Sequence, residues 1–466
     1  MSQPSHLAAR TPVVGPLLAL AAPMLLGQAG QVLIQLTDTA MIGHLGPLHL
    51  AGAALAGTFV MFALYFAYGV LGAVAPRVAQ AFGAGDDRGV AAAARAGTAL
   101  AAIVGVAIAV ALSVAVPLLP RLGQPAEVVD VAGGYLLLIA WSLPAAMVAV
   151  VLGQTAEAVN RPWPVFAAMA AAVVANALLN WLLIFGHFGC PRLGLAGAGW
   201  ATLAARVLQA VALAVWIARH PELGRWWRGV GTEPGMLRQL FRQGLPVAVQ
   251  DVLEGGSFAV GSLMVGWAGT TALAANQVTL GIASLAWMVP ISLSLATSVR
   301  VAHAAGAGDM PAVRRTGIAA LALGVALMAV CAAVYTTCGV GLARIFSTDE
   351  TVVKLAGTLI TIAGVYQISD LVQSVSLGAL RGLLDNRVPM IANAICYWGL
   401  SLPTVYLLTV VADWGAVGVW VGYLPWMMLT GIFFLCRFLR LTAARPKKDS
   451  PVDGTSATIS RLPDRS

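Results

Sequence analysis

The chain has 466 residues, 59% of them hydrophobic and 10% charged, with a net charge of +8 and a mean hydropathy of +0.85. A soluble domain carries roughly 25% charged residues, so a water-soluble globular protein is excluded. The basic excess sits in scattered short loops without an aromatic-rich basic face, which argues against nucleic acid as a partner.

Apolar runs alternate with short charged clusters, and each run is long enough to cross a ~30 Å hydrocarbon core as a helix. After a short cytoplasmic segment, 1–13, the first span covers 14–40. It continues past signal-peptide length without a small-residue cleavage site, so it reads as a membrane helix. Pro23 removes one of its internal hydrogen bonds and permits a kink. Asp38 is the only formal charge between Arg10 and Arg77. A carboxylate at membrane depth costs roughly 3 kcal/mol on insertion scales and marks a functional site by default.

Spans 50–75, 91–119, 130–156, 163–187 and 194–218 complete a first group of six. Between the second and third lies RVAQAFGAGD, and the turn before the fifth reads NRPWP. The fifth span places Asn176 and Asn180 one turn apart, and the sixth carries Thr202 and Arg206. Polar amides on one helix face either join helices or form a hydrogen-bonded cage around Asp38.

The connector 219–237 is the only loop whose composition suggests a boundary between lobes. Spans 238–266, 271–298, 314–342, 353–380, 388–411 and 415–438 follow, and the tail 441–466, rich in Pro, Ser, Lys and Asp, reads as disordered. These six repeat the first six. RVAHAAGAGD lies 223 residues after RVAQAFGAGD, and the same offset relates Pro23 to Pro246, Gly46 to Gly269 and Met41-Ile42-Gly43 to Met264-Val265-Gly266. NRVP at 386–389 echoes NRPWP, and Gly415 and Gly418 echo Gly194 and Gly197. Six is even, so the halves are parallel repeats about an axis along the membrane normal, with substrate between them. The predicted fold is an all-α polytopic membrane protein: twelve transmembrane helices in two lobes, 14–218 and 238–440.

The repeat serves as an internal control. Asp38 pairs with Gly261, Glu254 with Gln31, and Asp370 with about Ala145. Each acid is present in one half and missing from the other, which favours function over scaffold. Tyr366 precedes Asp370 by one turn and shares its face. Buried carboxylates must be paired, protonated or metal-bound, so these can exchange a proton, a small cation or a cationic ligand. Arg206, the only base deep inside a span, can satisfy one acid at most; Asp251 is the weakest candidate among the acids.

Lys and Arg alternate sides of the membrane: of 27, 22 fall on one side, 4 on the other and Arg206 within a span. The positive-inside rule puts both termini in the cytoplasm. The five cysteines, odd in number and without CxxC, read as small buried hydrophobes. Trp226-Trp227 reads as part of the interfacial tryptophan belt. GAGD, at 83–86 and 306–309, matches the GxGD of intramembrane aspartyl proteases, yet both copies fall in loops before a helix, where Asp is a natural N-cap. Without HExxH, GxSxG or a P-loop, no enzymatic chemistry is expected, and no cofactor.

The stretch around Asp38, the duplicated RVAxAxGAGD, Glu254 after Pro246, Asp370 and the NRPWP and NRVP turns together resemble the multidrug and toxic compound extrusion family, NorM-like branch, over roughly 10–440. The resemblance implies a monomeric antiporter of a bacterial inner membrane that exports organic cations in exchange for Na⁺ or H⁺. It implies a first-lobe polar site of Asp38, Asn176, Asn180 and Thr202, a second-lobe ion-coupling site of Glu254, Asp370 and Tyr366, and a hinge at Pro23. If the coupling ion is Na⁺, Glu254 and Asp370 are its metal ligands. Both acid clusters are present, unlike in the branch that keeps only the first-lobe aspartate. Two rivals fit less well. A lipid-linked oligosaccharide flippase would want a basic cavity, and an ion channel would need repeated pore-loop motifs.

Overall fold

A computed structural model describes residues 13–228 and 235–443. Residues 1–12, residues 229–234 of the connector and the tail from 444, where disorder is expected, lie outside the described residues. Among the described residues there is no strand.

Twelve long helices run in chain order. The first six are α1 (Val14–Gly43), α2 (Pro47–Gly83, broken at Gly72-Ala73), α3 (Asp87–Ala115), α4 (Ala126–Ala158), α5 (Trp163–Phe185) and α6 (Leu195–Arg219). A short helix, Pro221–Arg228, follows. The second six are α7 (Met236–Trp267), α8 (Thr270–Gly306), α9 (Met310–Phe346), α10 (Glu350–Gly382), α11 (Arg387–Val411) and α12 (Gly415–Leu441). Eleven of these are long and apolar enough to span a membrane on composition alone. The exception is α7, whose middle carries Gln250, Asp251 and Glu254.

The repeated GAGD segments do the local work that their composition suggests. Asp86 accepts from the Gly89 N–H at 2.9 Å and opens α3, and Asp309 accepts from the Ala312 N–H at 2.9 Å and opens α9. These side chains satisfy helix-end donors that have no intrahelical partner.

Within the first half α4 packs on α3 and α6, and α5 on α6; within the second α10 packs on α8, α9 and α12. The halves meet at one end only. There α2 lies against α7 and α8, and a single apolar core joins Leu17, Val70, Val78, Leu100 and Leu213 of the first half to Leu240, Ala248, Leu293 and Leu371 of the second. At the other end each half has its own core: Leu112, Leu136 and Leu143 in one, Leu359, Tyr397 and Trp420 in the other.

The joined end is the one with the cation-rich loops, and two symmetry-related latches hold it. Gln80 Nε2–H, on α2, donates to the Gly382 carbonyl at 3.0 Å, while the imidazole of His303, on α8, is hydrogen-bonded through Nε2 to the Ala158 carbonyl. Gln80 and His303 are repeat partners 223 residues apart. Close approach depends on two glycines, because a Cβ at Gly83 would overlap the backbone of His303 and one at Gly306 that of Gln80.

Two sequence expectations need correcting. Trp226 is buried in the joined core and does not face lipid as a belt residue would, because the short helix packs against α6 and α3. Nor are the cysteines buried: Cys338 and Cys436 are exposed and the other three are partly so. Lipid solvates such side chains, so an apolar residue needs no protein cover here.

Candidate functional site

The first half gathers polar residues around Asp38. Asn180, buried on α5, donates Nδ2–H to Asp38 Oδ1 at 2.6 Å and to Asn176 Oδ1 at 3.2 Å. Thr202, on α6, has its hydroxyl 3.2 Å from Asp38 Oδ2 and 3.0 Å from its own Ala198 carbonyl. Four-residue spacing puts Asn176 and Asn180 on one face of α5, and α1, α5 and α6 are neighbours. All four residues named for this site therefore come together. Pro23 is buried in α1, fifteen residues before Asp38, and the helix runs through it without interruption.

Arg206 follows Thr202 by one turn. It donates Nη1–H to Ser142 Oγ of α4 at 2.7 Å, and Ser142 donates onward to the Ile139 carbonyl. It therefore makes no ion pair with Asp38, although it lies within electrostatic reach.

The second-half acids are arranged differently. Asp370 is only 4% exposed on α10, and its Oδ2 has no hydrogen-bond partner. Glu254 Oε2 accepts from Asn393 Nδ2–H of α11 at 3.3 Å. The two carboxylates share an electrostatic environment with Asp251 and Arg381 without touching each other. Tyr366 packs edge-on against Trp420, ring centroids 5.4 Å apart, within reach of both acids. Asp251 takes the bland role: Arg381 Nη2–H reaches its Oδ1 at 2.9 Å, half-buried near the joined end. Arg381 is thus a second base at the edge of a span, and it neutralises the acid that the sequence could not place.

Several neighbours escaped the sequence reading. Asn393 on α11 touches Glu254, and one turn on, Tyr397 exchanges hydrogen bonds with Gln373 of α10 at 3.0 and 3.3 Å. Phe258, Tyr397 and Tyr423 form an aromatic cluster beside them, with centroids 5.2–6.4 Å apart. The available signal was the i, i+4 pair of Asn393 and Tyr397 in an apolar span, the same signal that marked Asn176 and Asn180. A cavity of about 420 Å³ lies elsewhere, at the cation-rich surface between the start of α7 and the α10–α11 turn, lined by Arg238, Arg242 and Arg387.

Chemically, Asp38, Glu254 and Asp370 stand inside the two helical halves without an ion-pairing base among the described residues: one held by amide and hydroxyl donors, one by a single amide, one with a bare oxygen. Such groups bind and release cations without any covalent step.

The family model described as MatE matches residues 23–182 and 246–407, so each match begins at one of the paired prolines. A probable multidrug resistance protein NorM of Bradyrhizobium diazoefficiens is 37% identical over 416 residues, covering 87% of this chain and 89% of that protein. The similarly described protein of Rhodopseudomonas palustris is 37% identical over 434 residues, with 91% of each covered. Among solved structures, a MATE in the straight conformation matches with TM-score 0.84 at 18% identity over 95% of this chain and 99% of the other. The bent conformation matches at 0.83 and 19%, covering 92% and 95%. At such identities the structures speak for the fold alone.

Proposed function

The chain belongs to the MatE family, and from that premise we propose that it is a secondary-active multidrug efflux antiporter, exporting organic cations in exchange for Na⁺ or H⁺. The observation that carries this reading is the placing of three intramembrane carboxylates inside two halves that touch at one end only. Carboxylates supply sites at which a drug cation and a coupling ion can exclude one another, and halves hinged at one end supply alternating access.

The cation-rich end faces the cytoplasm by the positive-inside rule, so this conformation opens outward and both termini are cytoplasmic. The membrane is the bacterial inner membrane, and one chain carries a complete pathway. In the cycle, substrate enters when the latches part and pairs with the acids. After the halves rock, the coupling ion arrives at the same or linked carboxylates and lowers substrate affinity. Exchange requires that difference, since a ligand binding both states equally shifts nothing. Asp38 is the first-lobe ion-exchange group, with Asn176, Asn180 and Thr202 supporting its charged form. Glu254 and Asp370, with Tyr366, are the second-lobe coupling site and the Na⁺ ligands if sodium drives transport. Pro23 lets α1 bend as Asp38 changes state.

Proteoliposome efflux of a cationic dye under separately imposed Na⁺ and H⁺ gradients tests this reading. Efflux driven by one gradient and absent without either supports it; equal leakage under all conditions removes it.

A further inference from the structure

One intramembrane charge has no place in that cycle. Among the described residues Arg206 makes a single hydrogen bond, to Ser142, and no carboxylate stands within ion-pairing distance. A guanidinium has five N–H donors, and an arginine at membrane depth is costly unless it is paired or in use. Asp38 does not neutralise it directly, because its two oxygens are engaged by Asn180 and Thr202. Arg206 instead faces a cavity of about 30 Å³ shared with Gln31, Tyr68, Asn176, Thr202 and Gln209. In the same wall Asn176 Nδ2, fully buried, is a donor without a partner.

We propose that this cavity is a small-anion subsite, and that Arg206 takes the carboxylate of a zwitterionic amphiphile whose cationic part is handled by the carboxylates. The inference rests on the transporter reading and deepens it by naming the residue that receives a substrate's anionic group. The space holds about two water-sized oxygens and no drug scaffold, so only a terminal anionic group enters. Guanidinium is the side chain best shaped for that group, offering two parallel N–H bonds to a carboxylate. The hydrogen bond to Ser142 fixes the guanidinium on α4, which leaves the other N–H groups free to face the cavity. Asp38, on α1 and bonded by Thr202 one helical turn before Arg206 on α6, supplies the opposite pole. A free inorganic anion such as chloride shares this chemistry, and the experiment separates the two.

The probes are rhodamine B, a xanthylium cation bearing a free carboxylate, and its ethyl ester, the same cation without the anion. Equilibrium binding to purified protein is measured for wild type, Arg206→Gln and Arg206→Lys, with chloride present or replaced by gluconate. In wild type the free acid should bind more tightly than the ester by roughly ten- to a hundredfold, the range of a charged hydrogen-bonded pair. Arg206→Gln should abolish that preference while leaving the ester unchanged, and Arg206→Lys should keep part of it. Chloride should compete with the acid in wild type only. An unchanged acid-to-ester ratio in Arg206→Gln overturns the proposal. So does Arg206-dependent chloride binding without any preference between the dyes, which would assign the subsite to a free anion. Because binding is read without transport, failure of dye efflux in liposomes would count against the antiporter and leave this test intact.

Discussion

At the residue scale the three acids differ in what already satisfies them, and their substitutions should differ accordingly. Asp38 is held by two donors, so Asp38→Asn replaces a charged, exchangeable group with an amide locked in a cage. Dye binding should survive and turnover fall by at least about tenfold, the effect of removing one charged hydrogen-bonded group; Asp38→Glu should keep partial activity. A wild-type efflux rate in Asp38→Asn across pH 6–8 would reduce Asp38 to packing. Asp370 is nearly unexposed with a bare oxygen, and Glu254 has one long amide contact, so each is left to a bound proton or cation. Glu254→Gln and Asp370→Asn should each abolish gradient-driven efflux while the protein still inserts and purifies as a single species. Normal ion-driven efflux in both would rule out their coupling role.

At the element scale the helices are started by local chemistry and joined by glycines. Removing a cap as in Asp309→Ala should cost about 1 kcal/mol, measurable as a lowered melting temperature with transport intact. Asp349 caps α10 through the N–H groups of Thr351 and Val352, and those bonds hold its carboxyl below the usual range. A lowered folded value means that the contribution is complete above the unfolded value of about 3.9 and is lost as pH falls through the folded one. The glycines act differently. Gly306→Val puts a side chain where the Gln80 backbone stands, so the α2–α8 contact must open, at about 1–3 kcal/mol for overpacking. The variant should insert normally and lose the latched conformation. A cysteine pair at Phe82 and His303, whose rings lie 5.3 Å apart, should be bridged readily in a cysteine-free wild-type background by a short bifunctional reagent and poorly in Gly306→Val.

For the whole molecule, the contrast between one joined core and two separate ones sets which side is open. Bridging Phe82→Cys to His303→Cys, positions whose rings lie 5.3 Å apart across α2 and α8, should trap the halves and stop efflux, with recovery on reduction; undiminished efflux in the bridged protein would mean that this end never parts. Orientation is tested separately by accessibility. Cysteines at Gly46 and Thr270 should label from outside, and one at Asp87 only from inside, so outside labelling at Asp87 would invert the topology. The first outcome bears on the rocking of intact halves and the second on their orientation, which neither residue chemistry nor helix ends can report.

Composition, span length and the 223-residue repeat determined the twelve-helix, two-lobe plan, because in a bilayer backbone hydrogen bonds must close within each span. The same reasoning exposed Asp38, Glu254 and Asp370, since a lone charge in an apolar run has nowhere to hide, and it placed Asp86 and Asp309 as caps, since capping is decided within four residues. The pairings were decided by tertiary structure alone. Arg381 reaches Asp251 across 130 residues, Asn393 reaches Glu254 across 139, and Gln80 finds Gly382 across 302. No local pattern encodes such contacts, because they arise from how tilted helices cross and not from which residues lie near in the chain. That is also why Arg206, which reads in sequence as a counter-ion for an acid, stands in space on Ser142 at the wall of a small cavity.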